Sequence, residues 1–109
     1  MYMDFQVGTA LLDSLVLASL AREDMYGYIL TQNIKVALNI SESTLYPILR
    51  RLQKENCLMT YDVPYSGRNR RYYQITDTGT DILNKYILEW NEFKEKIDDL
   101  LGGEGDEQN

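Results

Sequence analysis

The chain has 109 residues, of which 44% are hydrophobic and 26% are charged, and its net charge is −6 at pH 7. This length and composition predict one compact domain, with room for one further element used in association. The chain has no histidine and a single cysteine, Cys57, which excludes histidine-based catalysis, an intramolecular disulfide and a cysteine-based zinc site, so we expect no enzyme, metal or cofactor.

Neither a membrane span nor an export signal is expected. The sequence holds no run of eighteen apolar residues, and its first residues lack the basic region of a secretory signal. Cys57 lies beside Leu58-Met59 and is predicted to be a buried, reduced thiol. These features predict a cytoplasmic protein with no membrane partner.

Two helices are predicted at the start of the chain. Residues 7–21 carry apolar side chains at helical spacing, with a wide apolar face. A polar turn follows at 22–24, and a second helix is predicted over about Tyr26–Leu38. Its expected inward residues are Ile29, Leu30, Ile34 and either Ala37 or Leu38.

The third predicted helix has its core face at Leu45, Ile48, Leu49 and Leu52. Its start is open between two competent N-caps, Ser41 and Ser43. Pro47 favours the later start, because proline is tolerated in a first turn and disrupts a helix interior. Asn56 is the predicted C-terminal cap, since asparagine adopts the left-handed conformation more easily than most residues.

The pattern then changes to a β-hairpin. Leu58–Tyr65 and Arg70–Ile75 are rich in Tyr, Val and Ile, and the turn Ser66–Asn69 separates them. A final helix is predicted from Thr76-Asp77 to about Leu101. Its apolar residues alternate three and four apart, which is typical of an association helix; they are Leu83, Tyr86, Trp90, Phe93, Ile97 and Leu100.

This order of elements predicts a mainly α fold with a small β-hairpin, namely a winged helix-turn-helix followed by a C-terminal dimerisation helix. We assign residues 1–75 to the winged helix-turn-helix, with the first helix also in the dimer interface. Residues 76–101 form the dimerisation helix, and residues 102–109 are expected to be a disordered acidic tail.

Basic residues are concentrated in one part of an otherwise acidic chain. From Lys35 to Tyr73, seven basic and three acidic residues give a charge of +4 and leave −10 for the remainder. Positive charge on a recognition helix and a wing is what DNA phosphates require, so we predict double-stranded DNA as a partner. The basic candidates are Arg50, Arg51, Lys54, Arg68, Arg70 and Arg71, and Ser43, Thr44 and Tyr46 join them at the start of the third helix.

Several motifs carry a family resemblance over about residues 8–101. The run Ser43-Thr44-Leu45-Tyr46-Pro47-Ile48-Leu49-Arg50-Arg51-Leu52 with Glu55 resembles the recognition-helix signature of the PadR family of bacterial regulators. Tyr26-Gly27-Tyr28 is similar to its second-helix motif, and Gly67 with Arg70–Thr76 and Gly79 to its wing. Ser43 and Asn56 depart from it, standing where the family usually has glycine.

The resemblance implies a repressor that binds a palindromic promoter site as a homodimer, its last helix packed on the partner's first helix. It implies groove contacts by Thr44, Tyr46 and Arg50, and wing contacts by Gly67, Arg68, Arg70 and Arg71. A second interpretation is a winged-helix adaptor that binds proteins and no DNA. The pI of about 4.5 favours the adaptor, whereas the segregated arginines favour the regulator.

Trp90 has two interpretations. Its spacing alone indicates a buried interface residue. Some small, multidrug-sensing PadR-like regulators have a tryptophan here, facing its symmetry mate, and bind planar aromatic drugs between the pair. That resemblance implies a planar aromatic or cationic effector, attracted by Glu89 and Glu92, in a pocket lined by Gly8, Leu11, Leu12, Leu15, Tyr86, Trp90 and Phe93; Tyr86 is bulky enough to fill such a pore.

Overall fold

The structure, a computed structural model, describes residues 8–102. Its elements in chain order are α1 (Thr9–Arg22), β1 (Met25–Tyr26), α2 (Gly27–Leu38), α3 (Glu42–Lys54), β2 (Leu58–Tyr65), β3 (Arg68–Ile75) and α4 (Asp77–Leu100). The predicted mainly α fold with a β-hairpin is confirmed. Of the predicted acidic tail, only Gly102 belongs to the described residues. Residues 1–7, at the start of the chain, also lie outside them.

One hydrophobic core joins the first three helices to the sheet. Leu17, Leu30 and Leu45, one from each helix, have no exposed surface, and Tyr73 of β3 is buried against them. Each buried leucine contributes about 1.5–3 kcal/mol. Cys57 is buried at the edge of this core, as predicted, and burial raises the pKa of its thiol.

Helix α2 packs through a narrower stripe than its sequence suggested. Leu30 and Ile34 are buried as predicted, and Thr31 lies between them in the core. The prediction for Ile29 was wrong, since its side chain is 46% exposed. The prediction that either Ala37 or Leu38 faces inward was also wrong, because both are exposed. One residue turns a helix by about 100°, so Ile29 lies to the side of the stripe centred on Leu30 and Ile34.

Helix α3 begins earlier than the proline suggested. Ser41 has extended N-cap geometry and the helix starts at Glu42, so Pro47 is its sixth residue and the expected later start was wrong. Proline removes the bond to the Ser43 carbonyl, and both residues lie on the exposed face, where water can replace it. At the other end Asn56 has a left-handed φ of 68°, which confirms its capping role.

The sheet has three antiparallel strands in the order β1-β3-β2. Tyr65 pairs with Arg68, so the hairpin loop is only Ser66 and Gly67, with φ of 50° and 80°. Positive φ at both positions matches a type I′ turn, which suits the twist of the strands. The predicted four-residue turn was therefore too long. Strand β1 was not predicted, because two residues show no periodicity.

Helix α4 starts where its cap predicts and then projects past the core. The Thr76 hydroxyl accepts a hydrogen bond from the Gly79 amide at 3.0 Å. Gly79 itself lies so close to the Cys57 carbonyl that a β-carbon there would overlap the oxygen. Leu83 is buried, whereas Trp90 and Phe93 farther along are 39% and 56% exposed. The second half of α4 therefore presents unburied aromatic surface.

Candidate nucleic-acid interface

Helix α3 has one face that the core does not use. Ser43, Pro47, Arg50 and Lys54 follow one another at spacings of four, three and four residues, and all four are exposed. Such spacing aligns side chains along one side of a helix. Within residues 8–102, neither Arg50 nor Lys54 forms an ion pair. This face therefore presents two uncompensated positive charges to solvent.

The N-terminal end of α3 is held by polar contacts. The Ser41 hydroxyl lies 2.9 Å from that of Ser43 and 3.1 Å from that of Thr44. Glu42 accepts a hydrogen bond from Gln32 of α2, and its carboxylate lies 3.7 Å from the Lys35 ammonium. The first-turn amides of a helix have no intrahelical acceptor and favour anions. Ser43 and Thr44 are exposed at this end, but the Thr44 amide already donates to the Ser41 carbonyl at 3.1 Å, and the Glu42 carboxylate lies in the same turn.

Arg51 lies on a different side of α3, facing α1. Its Nη2 donates to Asp13 Oδ1 at 2.5 Å, and its Nη1 lies 3.3 Å from Glu55 Oε1. Burial raises the pKa of Asp13 in spite of the opposing effect of Arg51, while the bond to Asp13 raises the pKa of Arg51. The structure therefore pairs this predicted DNA contact inside the protein and does not bring it together with Arg50 and Lys54.

The wing arginines are divided between the two faces of the hairpin. Arg68 and Arg70 share the outer face with Tyr65, because side chains alternate along a strand. Arg71 points to the opposite face and lies 3.9 Å from its cross-strand partner Asp62. Gly67 is exposed at the tip. The predicted wing residues therefore surround the hairpin and do not form one stripe.

The recognition helix and the wing border one cleft. Tyr46 of α3 and Arg71 of β3 line a cavity of about 400 Å³ together with Tyr28 at the start of α2. Gly27 allows this close arrangement, because a β-carbon there would lie 2.9 Å from the Tyr73 ring. The Tyr73 ring is itself packed in the core. The cleft therefore lies between the recognition helix, through Tyr46, and the inner face of the wing, through Arg71.

A helix-turn-helix with a basic outer face, an adjoining wing and a cleft between them is the arrangement of a DNA reader. The model of the transcriptional regulator PadR-like family matches residues 16–85. The chain belongs to this family. It is therefore a DNA-binding transcriptional regulator and not an enzyme, which confirms the resemblance found in the sequence.

Three other proteins are similar to this chain over most of its length. The smu.1704 protein of Streptococcus mutans UA159 has 42% identity and a TM-score of 0.84, with 93% of this chain and 95% of that chain covered. A PadR-like transcriptional regulator of Bacillus cereus has 31% identity and a TM-score of 0.77, covering 85% and 93%. Transcriptional regulator Rv3488 of Mycobacterium tuberculosis is 30% identical over 82% of this chain and 81% of its own.

A second concave surface of this PadR-like chain lies between α1 and α4. Leu11, Leu15, Tyr86 and Trp90 line an apolar cavity of about 360 Å³. An adjoining cavity of about 320 Å³ is lined by Gly8, Ala10, Leu11, Tyr86, Glu89, Trp90 and Phe93. These two cavities contain all of the residues predicted to line an effector pocket except Leu12. Helical spacing from Leu11 and Leu83 could also have identified Ser14, Ala18 and Ile87, which the sequence analysis did not name.

Leu12 is a correction to that set. Its side chain is 3% exposed and belongs to the hydrophobic core, so it lines neither cavity. Leu12 follows Leu11 by one residue and therefore points about 100° away around α1. The wide apolar face of α1 serves two surfaces, and periodicity alone did not separate them.

The described residues contain neither a membrane-spanning helix nor a metal-binding cluster. No helix among residues 8–102 is long and apolar enough to cross a membrane. In the same range, no group of three or more His, Cys, Asp or Glu side chains is arranged to hold a metal ion.

Proposed function

We propose that this PadR-like regulator represses transcription by binding a palindromic promoter site as a homodimer. The observation that supports this most is the exposed face of α3, where Arg50 and Lys54 have no acidic partner among residues 8–102. The same helix borders the wing cleft through Tyr46. Two subunits related by a twofold axis would offer two such helices to successive major grooves, about one helical turn apart. Occupation of a promoter would then block transcription.

The proposed contacts divide by element. Thr44, Tyr46 and Arg50 reach the major groove, where the Arg50 guanidinium also neutralises a backbone phosphate, and Ser43 and Lys54 lie on flanking phosphates. Gly67 and Arg71 bring the wing close to the DNA backbone, together with Arg68 and Arg70 on its outer face. Arg51 contributes to DNA binding only indirectly, because its ion pair with Asp13 holds α3 against α1.

The dimer is supported by the apolar surface of α4. Ile87, Trp90, Phe93 and Leu100 are exposed large side chains of α4, and the first three line the cavities that α1 borders. Contiguous apolar patches on a protein surface mark association sites. A second copy packed on α1 and α4 would cover this patch and fix the distance between the two α3 helices.

A planar aromatic cation is the proposed effector, bound beside Trp90 at that interface. The rings of Trp90 and Phe93 have centroids 6.4 Å apart, and Glu89 lines the same cavity and offers a negative charge. Such a ligand releases DNA only if it binds one arrangement of the dimer better than the other. Wedged between the subunits, it would alter the spacing of the α3 helices.

DNA selection tests the first part of the proposal. Random-sequence duplexes retained by the protein should converge on palindromes whose half-site centres lie about 10 base pairs apart. Sedimentation of the free protein should give a dimer at micromolar concentration. Enrichment of unrelated or single half-sites, or a monomer that binds DNA fully, would contradict the proposal.

The effector has its own test, because Trp90 is the only tryptophan of the chain. Titration with a phenanthridinium dye in the absence of DNA should quench the emission of the protein at micromolar dye. Glu89→Gln should weaken binding of the cation and leave the dimer intact. No quenching would refute the effector site while leaving DNA binding untouched.

A further inference from the structure

The outer face of the sheet carries a row of tyrosine rings. Tyr61 and Tyr72 stack with centroids 5.7 Å apart and planes 15° apart. Tyr26 continues the row at 6.0 Å from Tyr72, and Tyr28 follows at 6.2 Å. Neighbouring aromatic rings at these distances attract one another beyond their burial. The row links β2, β3, β1 and the start of α2.

Arg70 lies at this row with its guanidinium between two rings. Its Cζ is 3.7 Å from the centroid of the Tyr65 ring and 4.6 Å from that of Tyr26. No carboxylate among residues 8–102 pairs with it. Arg70 is thus held by ring faces, whereas Arg51 and Arg71 are held by acids.

Stacking leaves the hydrogen-bonding capacity of an arginine free. A guanidinium is planar, its faces attract aromatic rings, and all five of its N–H groups point outward in its own plane. Ring faces packed against the guanidinium therefore hold the side chain and require none of its donors. A carboxylate partner would instead occupy two donors and cancel the charge.

The base of the row is anchored to the body of the protein. The Tyr61 hydroxyl donates to Asp24 Oδ2 at 2.6 Å, and Gln74 Nε2 donates to the same oxygen at 3.2 Å. Asp24 precedes β1, so these bonds connect the hairpin to the segment that follows α1. The sheet that carries the rings in contact with Arg70 is therefore hydrogen-bonded to the segment between α1 and β1.

We propose that Tyr65 and Tyr26 are positioning residues, which hold the Arg70 guanidinium so that its N–H edge can grip a DNA phosphate from the wing. The inference rests on the proposed function, because it requires that Arg70 contact DNA. It adds that the rings raise affinity by ordering Arg70 before DNA arrives. Tyr65 is exposed, so its ring can be replaced without disturbing the core.

Binding measurements with a selected duplex compare Tyr65→Leu, Tyr65→Phe and Arg70→Ala. Tyr65→Leu should weaken binding by about two- to fivefold per wing, the range expected for an exposed cation–π contact. Its salt dependence should match the wild type, since the charge remains. Tyr65→Phe keeps the ring face and should bind like the wild type, whereas Arg70→Ala should weaken binding and make the salt slope shallower by about 0.9 per wing.

A measurement without DNA separates positioning from a general structural effect. The Nε proton of Arg70 should resonate upfield in the wild type because of the two rings. Tyr65→Phe should keep most of this shift, and Tyr65→Leu should lose a large part of it while other wing resonances stay in place.

The outcomes distinguish the two proposals. If Arg70→Ala changes neither affinity nor salt slope, the DNA contact proposed for Arg70 is wrong, and the positioning role is wrong with it. If Arg70→Ala weakens binding but Tyr65→Leu binds like the wild type, DNA binding by the wing stands and only the positioning role is overturned. A Tyr65→Phe variant as weak as Tyr65→Leu would also overturn it.

Discussion

Arg50 and Arg51 are neighbours in sequence, and the structure assigns them opposite consequences on substitution. Arg51→Ala removes the partner of Asp13, whose carboxylate is only 21% exposed, whereas Arg51 itself is 37% exposed. Arg50→Ala removes a guanidinium that has no acidic partner among residues 8–102. The two variants lose the same atoms, so each serves as the control for the other.

The expected loss of stability in Arg51→Ala follows from the burial of the pair. Exposed ion pairs contribute about 0–1 kcal/mol, and breaking a fully buried pair costs about 3–5 kcal/mol. The Arg51–Asp13 pair is partly exposed and solvent screens it, so we expect a loss of about 1–2 kcal/mol. Arg50→Ala should change the free energy of unfolding by less than about 0.5 kcal/mol, as for other surface substitutions.

The pH dependence provides a second signature of Arg51→Ala. Without Arg51, only the effects that raise the pKa of Asp13 remain, burial foremost. A carboxyl whose pKa is higher in the folded state favours folding below its ordinary value of 3.8 and loses that contribution as pH rises through the folded pKa. The deficit of Arg51→Ala should therefore be larger at neutral pH than near pH 3.8. Adding Asp13→Asn should restore part of the stability at neutral pH.

DNA binding should show the reverse pattern. Each lost phosphate contact makes the salt slope shallower by about 0.9, or about 1.8 for two subunits, which corresponds to about a 12-fold change between 50 and 200 mM salt. Arg50→Ala should show this change, and Arg51→Ala should keep the wild-type slope in the folded protein. Urea unfolding and fluorescence anisotropy provide the two readouts. A shallower slope with unchanged stability in Arg51→Ala would refute the assignment.

Three further substitutions test the fold. Gly79→Ala should lower the free energy of unfolding in urea by about 2 kcal/mol or more, because the new β-carbon would overlap the Cys57 carbonyl and lie 2.8 Å from Ile75 Cγ1. This loss exceeds the gain of about 1 kcal/mol in helix propensity that alanine brings. The exposed Thr78→Ala serves as the control and should be nearly neutral. Gly67→Ala should cost about 1 kcal/mol, since φ is 80° at the hairpin tip; no loss would contradict the turn geometry. Burial raises the pKa of the Cys57 thiol above its ordinary 9.0, so the thiol stabilises the fold fully below pH 9.0 and progressively less above it. Cys57→Ala should therefore lose less stability than the wild type as pH rises above 9.0, measured as the urea midpoint. Identical pH profiles for the two proteins would contradict this prediction.

Features that depend on neighbouring residues could be predicted from the sequence. The caps at Thr76 and Asn56 act within a few residues of their own position, and both were identified correctly. Pro47 misled the prediction because the cost of an interior proline depends on whether the freed carbonyl reaches water. That exposure is a property of how α3 packs.

Within the candidate interface, the residue types were predictable but their partners were not. The clustering of basic residues and the recognition-helix signature can be identified in the sequence itself, and they sufficed to indicate a PadR-like DNA-binding protein. Whether a given arginine is free depends on which acid or ring folds against it. Asp13 is 38 residues from Arg51, and Tyr26 is 44 residues from Arg70.

The sequence by itself determined that four helices, a hairpin and a basic block are present, because periodicity, capping and charge are local properties, and its motifs indicated the family by resemblance. Only the tertiary structure decided that Arg51 pairs with α1, that Leu12 belongs to the core, that a two-residue strand completes the sheet, and that tyrosines hold Arg70. These depend on the angles at which helices cross and on the register of the strands. Contacts between distant segments set both, and no local pattern encodes them.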